Sequence, residues 1–138
     1  MKKLVAIALT CWLLPAAVMA RDSWQSDEAI RVVSALLQSL NQIVEMSADD
    51  QMQPDAVQSK NAHAALVDIR FMVEELERLD LALSAGKSKI QTLARYQKIS
   101  NLRYSVQDYS RDTEIPEDVR NEAQVATDLL RKLDLIYF

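Results

Sequence analysis

Side chains that could act as ligands, bases or nucleophiles are sparse in this sequence. Its 138 residues include one histidine and one cysteine. His63 stands among Lys60, Ala62, Ala64 and Ala65. A metal-binding helix repeats ligands at three- or four-residue spacing, as in Glu-x-x-His or His-x-x-x-His, and neither pattern occurs. An axial haem pair would have to join His63 to Met46, Met52 or Met72, and the Cys-x-x-Cys-His needed for covalent attachment is missing. His63 therefore reads as a surface or boundary residue, and no metal or cofactor is expected.

Two short motifs meet around the chain's only glycine. Ser84-Ala85-Gly86-Lys87 spells the Ser-x-x-Lys of penicillin-binding enzymes, but the partner motifs of that much larger fold are absent. Gly86-Lys87-Ser88 imitates the end of a phosphate-binding loop, yet Leu81 occupies the required upstream glycine position. Both read as a helix stop. Glu74, Glu75, Glu77 and Asp80 form an acidic cluster that could supply paired carboxylates. Arg70 and Arg78 lie four residues either side of Glu74, which is the spacing of helical ion pairs and of a solvated face.

The region from residue 87 to 107 differs from the rest. It carries Lys87, Lys89, Arg95, Lys98 and Arg103 with no acid, and Tyr96 and Tyr104 interleave. In a chain of net charge −4 the overall field opposes nucleic acid. Two readings remain. The stripe either neutralises the acidic end of the preceding helix or meets a partner protein, since interfaces favour Arg and Tyr. Arg95, Tyr96, Lys98, Arg103 and Tyr104 are the candidate partner-binding residues, and catalytic residues are not expected.

Long helices must position these residues. One glycine and three prolines provide few tight turns, which argues against a many-stranded sandwich or barrel. Ser26-Asp27-Glu28 reads as a helix start. Ile30, Val33, Leu37, Leu40 and Val44 then recur at 3/4 spacing, widened by Leu36 and Ile43, which predicts a helix over residues 26–46 and a loop over 47–53. Pro54 suits a first turn. Ala62, Leu66, Ile69, Val73, Leu76 and Leu83, with Leu79 beside them, predict a second helix over 54–85, ended by Gly86. A third starts near Lys87, with Ile90, Leu93, Ile99, Leu102, Val106 and Tyr109 on its apolar side. After a polar break over 110–115, Pro116-Glu117-Asp118 opens a fourth, with Val119, Ala126, Leu129, Leu133 and Ile136 facing inward. Short joints favour antiparallel neighbours. The expected fold is all-α, an antiparallel bundle of four helices, with a three-helix core and a loose first helix as the other possibility. Leu135-Ile136-Tyr137-Phe138 is either core packing or a docking tail.

The first twenty residues read as a targeting segment. Lys2 and Lys3 precede an apolar run over 4–14, Pro15 closes it, and Val18-Met19-Ala20 sets small residues before Arg21. The run is short for a membrane span, which needs about 20 residues. Cys11 lies within it, too early for a lipid-attachment cysteine. The expected organisation is a signal peptide over 1–20 and a helical domain over 21–138. Processing removes two lysines, no acid and the only cysteine, so the charge moves from −4 to −6 and no internal disulfide is possible.

The motifs Glu75-Leu76-Glu77-Arg78-Leu79, Arg95-Tyr96 and Leu102-Arg103-Tyr104-Ser105-Val106-Gln107-Asp108-Tyr109 carry a further signal. Over residues 73–118 the chain resembles the RAQPRD family of small exported proteins of plasmids and integrative conjugative elements. The family's naming motif is replaced after Tyr109 by Ser-Arg-Asp-Thr-Glu-Ile-Pro-Glu-Asp, and a fourth helix follows. The resemblance implies a role in conjugative transfer and supplies no catalytic residues.

Together these features describe an exported, non-enzymatic protein of the periplasm or cell exterior that binds another protein, with no nucleic acid and no membrane span after processing. An accessory of a conjugation or secretion apparatus leads. An inhibitor or immunity protein against a delivered toxin, and a small-ligand or haem bundle, are the alternatives. The export reading is checked by mass spectrometry of the periplasmic fraction. A product beginning at Arg21 is expected, whereas full-length chain in the inner membrane contradicts it.

Overall fold

The computed structural model describes residues 24–49, 56–111 and 113–138. The signal peptide expected over 1–20 and the helix start expected at Pro54 lie outside the described residues. Four helices follow one another: α1 (Ser26–Asp49), α2 (Ala56–Ser84), α3 (Lys89–Ser110) and α4 (Glu117–Tyr137). No strand occurs among the described residues. The fold is an all-α bundle of four helices, as the 3/4 periodicities predict.

The joint between α2 and α3 explains both accidental motifs. Gly86 sits at φ +80, a conformation that costs residues with a Cβ. Its N–H donates to the Leu83 carbonyl and that of Lys87 to the Ala82 carbonyl, each at 3.0 Å, which closes α2 with a Schellman cap. Ser88 then opens α3 with a capping box. The Gln91 N–H donates to Ser88 Oγ at 3.2 Å, and the Ser88 N–H donates to Gln91 Oε1 at 2.9 Å. One helix stop and one helix start thus take up Ser84 to Ser88. At α4, Pro116 occupies the N-cap without a side-chain bond, and Glu117 and Asp118 place negative charge in the first turn.

Chain direction alternates. Trp24, just before α1, lies against Tyr137 at the end of α4, with ring centroids 5.4 Å apart. Ser39 in mid-α1 donates to the Glu122 carbonyl near the start of α4. Asp68 and Glu75 of α2 meet Ser105 and then Arg95 and Lys98 of α3, an antiparallel register. The closest helix pairs are α2/α3, α1/α4 and α1/α2. Between α3 and α4 the contact runs through long side chains. Tyr96 stacks on Tyr137 at 4.3 Å with planes 3° apart, and Thr92 Oγ1 lies 2.7 Å from the Tyr137 hydroxyl. Thr92 already donates to the Ser88 carbonyl at 3.0 Å, so the Tyr137 hydroxyl is the donor between the two.

The core runs from Ala29 to Tyr137 and draws on all four helices. Ala29, Val32, Val33, Leu36, Leu40 and Ile43 of α1 are buried, so α1 is an integral helix and not a loose one. The stripes are rotated from the predicted faces. Leu36 and Ile43 lie at the centre of the α1 face, while Ile30, Leu37 and Val44 are only partly buried. On α4, Leu130 and Tyr137 are buried where Leu129 and Ile136 are expected. On α3 the buried residues are Thr92, Tyr96 and Ile99, whereas Ile90 and Tyr109, expected inside, are exposed. Alanine at Leu76, fully buried in α2, should cost about 2–5 kcal/mol through lost burial and a residual cavity. Alanine at exposed His63 should change the urea midpoint little. Equal midpoints for the two variants would contradict this core.

Candidate functional site

Of the acidic cluster on α2, Glu74 and Glu77 are exposed and Asp80 partly so, as the spacing suggests, but Glu75 is not solvated. Glu75 is buried, and its carboxylate collects three cations. Lys98 Nζ donates to Oε1 at 2.7 Å, Arg78 Nη1 to the same oxygen at 2.9 Å, and Arg95 Nη1 to Oε2 at 3.0 Å. The hydrogen bond from Lys98 contributes most to holding the carboxyl below its ordinary pKa, against the opposing effect of burial, and the charges of Lys98, Arg78 and Arg95 add to it. Arg78 comes from α2 at i+3, the other two from α3, so the cluster pins the closest helix pair.

Arg103 completes the account of the basic stripe. Its side chain is largely buried, and Nη1 donates to Asp134 Oδ2 of α4 at 3.0 Å. Burial pushes the Asp134 carboxyl above its ordinary value despite that neighbour, and burial likewise raises the Tyr137 hydroxyl. Nη2 of Arg103 donates to the Tyr104 hydroxyl at 3.2 Å, and the guanidinium carbon lies 4.9 Å from that ring's centroid. Arg103 Nε and the Tyr96 hydroxyl find no hydrogen-bond partner among the described residues. Buried orphans of this kind cost about 1–3 kcal/mol each.

The five candidate partner residues therefore separate. Tyr96 is a core residue stacked on Tyr137, with no ring surface left for a partner. Arg103 is committed to Asp134. Arg95 and Lys98 are tied to Glu75 but keep exposed surface, and Tyr104 is exposed. The spacing misses Arg78 and Phe71. Both lie on α2, at i+3 and i−4 from Glu75, and both are exposed. Three cations converge on one carboxylate, with exposed Glu74 and Glu77 beside them and an aromatic ring one helical turn away on the same ridge.

At the opposite end of the bundle from Gly86, a cavity of about 210 Å³ lies between Ile43, Leu66, Ile69, Tyr109 and Val119, with His63 on its lining. Among the described residues no group of three or more His, Cys, Asp and Glu is placed to hold a metal ion, and no helix is long and apolar enough to cross a membrane. In comparisons with known proteins, no family model, curated protein or solved structure matches the chain.

The Glu75 cluster predicts an acid limb in stability. A carboxylate whose folded pKa lies below its unfolded value contributes fully above the unfolded value, and the contribution disappears as pH falls through the folded one. Thermal midpoints measured from neutral pH down to about pH 2 should fall less steeply below the ordinary carboxylate range in Glu75→Gln than in the parent. Superimposable acid limbs would contradict the cluster's role.

Proposed function

We propose that this chain is an exported, non-enzymatic protein that acts by binding another protein, and that the α2/α3 face around Glu75 is its contact. The observation that carries the reading is the convergence of three part-exposed cations on Glu75 beside an exposed aromatic ring. Exposed Arg78 and Lys98, part-exposed Arg95 and exposed Phe71 offer charge and aromatic area together, on a chain whose net charge is −4. Arg and aromatic residues are enriched at protein interfaces.

The segment that resembles the RAQPRD family, residues 73–118, contains most of this face. That supports placing the protein in the periplasm as an accessory of a conjugative transfer or secretion apparatus. An inhibitor or immunity protein would need the same kind of surface, and neighbouring genes separate the two: transfer genes favour the first, a toxin gene the second. The cavity beside His63 favours a second reading, a small-ligand or haem bundle. A Soret band in the purified protein would support its haem form.

Single changes at the rim test the contact. Arg78→Gln and Lys98→Gln each leave Glu75 two cations, so thermal midpoints should move by only a few degrees, whereas capture of the periplasmic partner should fall about tenfold for each about 1.4 kcal/mol of interface energy lost. Capture equal to that of the parent by both variants would contradict this contact.

A further inference from the structure

All four helices contribute to the cavity opposite Gly86, and its lining is graded by depth. Ile43 of α1, Ile69 of α2 and Val119 of α4 are buried and form the floor. Ser47, His63, Tyr109 and Thr113 are exposed or half-buried and form the rim. Ser47 lies four residues beyond Ile43 on α1, and His63 six before Ile69 on α2, so floor and rim are about 6–9 Å apart.

Small side chains at inward positions leave this space open. Ser47 continues the buried stripe of α1 after Ile43, and Ala62 and Ala65 precede Ile69 on the same face of α2. Leucine at any of the three would occupy the space. A void forfeits the contacts its walls would otherwise make, and the aliphatic floor gives water no hydrogen-bond partners. The lining therefore favours an apolar guest.

Volume and charge narrow the choice. An apolar cavity of about 150 Å³ holds benzene, and clefts for drug-sized molecules run to about 300–1,000 Å³. At about 210 Å³, this cavity has room for one ring with a short substituent and is too small to enclose a porphyrin. No Lys, Arg, Asp or Glu is among its lining residues, so a charged guest would leave water without a counter-charge. The hydroxyls beside the mouth favour a donor. Ser110 Oγ donates to the Val106 carbonyl at 2.7 Å, and Thr113 Oγ1 to the Tyr109 carbonyl at 2.9 Å. With their protons used on the backbone, these two oxygens can offer a guest only acceptor lone pairs.

We propose that this cavity binds a neutral, single-ring molecule carrying one hydrogen-bond donor, with the ring on the Ile43, Ile69 and Val119 floor and the donor toward Ser110 and Thr113. The proposal rests on the second reading above, in its small-ligand form, and narrows it to a ligand smaller than haem. The site is at the opposite end of the bundle from Gly86 and is separate from the contact around Glu75.

Toluene and phenol, which differ by a methyl against a hydroxyl, are the probes. Both should bind in calorimetric titrations of the purified protein. Phenol should bind no more weakly than toluene, because acceptors at the rim replace the water its hydroxyl loses. Bound phenol should shift the methyl NMR signals of Ile43, Ile69 and Val119 and leave those of Leu79 and Leu83, toward the Gly86 end, in place. Ala62→Leu, which fills the cavity from a half-buried position and keeps a good helix former, should weaken both probes by about tenfold or more with the parent's circular dichroism retained. If that variant does not fold, Ser47→Leu at the rim should give the same loss. Binding of toluene with phenol rejected would overturn the proposal, as would binding undiminished in the variants or shifts confined to other methyl groups. Binding of neither probe would also overturn it. In that case a Soret band on titration with hemin would preserve the second reading with a different ligand, and no hemin binding would end both.

Discussion

A carboxylate withdrawn from water must be compensated, and in this bundle the Glu75 carboxylate sets the terms for its surroundings. A buried, unpaired acid costs several kcal/mol, and the usual escape is protonation. Here the folded environment instead holds the group ionised, with Lys98, Arg78 and Arg95 within 3.0 Å of its oxygens. Two of those cations belong to α3. Their positions fix the register of α3 on α2 and decide which side of α3 is left to face α4.

That arrangement explains why α3 buries so little. Only Thr92, Tyr96 and Ile99 are buried along its length, the smallest apolar contribution of the four helices. Polar contacts on both flanks hold it. Toward α2 these are the Glu75 cluster and the Ser105–Asp68 hydrogen bond of 2.6 Å, and toward α4 the Arg103–Asp134 pair and the Thr92–Tyr137 bond. The stacked rings of Tyr96 and Tyr137 fill the gap where the α3 and α4 backbones stand apart. The basic stripe is thus a structural device first. What it offers a partner is the remainder, the exposed flanks of Arg78, Arg95 and Lys98 and the nearby Phe71.

Much of this was legible in the sequence. The number of helices, their approximate ends and the left-handed Gly86 follow from periodicity and from the scarcity of glycine and proline. Rotation of the stripes did not follow, because several adjacent apolar residues, such as Leu36 and Leu37 or Leu129 and Leu130, fit a 3/4 pattern equally well until the neighbours are placed. The capping box at Ser88 and Gln91 was visible as Ser-x-x-Gln. Glu75 and Tyr96 are the instructive departures. Both sit in charged stretches that look solvated, and only tertiary pairing makes a buried glutamate tolerable or draws a tyrosine from a basic stripe into the core. Leu135 and Phe138 bracket buried Tyr137, so the apolar terminus both packs and projects.

Charge, more than apolar burial, seats α3 against α2, since only Thr92, Tyr96 and Ile99 of α3 are buried. A double-mutant cycle between Glu75 and Arg95, using Glu75→Gln and Arg95→Gln with stability read from urea unfolding, addresses it most directly. Cation and carboxylate are 3.0 Å apart on different helices, with the acid buried. A coupling energy of about 1–3 kcal/mol is the predicted result, above the about 0–1 kcal/mol of an exposed pair. Additive effects, agreeing within about 0.5 kcal/mol, would show that α3 keeps its seat without the pair and would contradict the account.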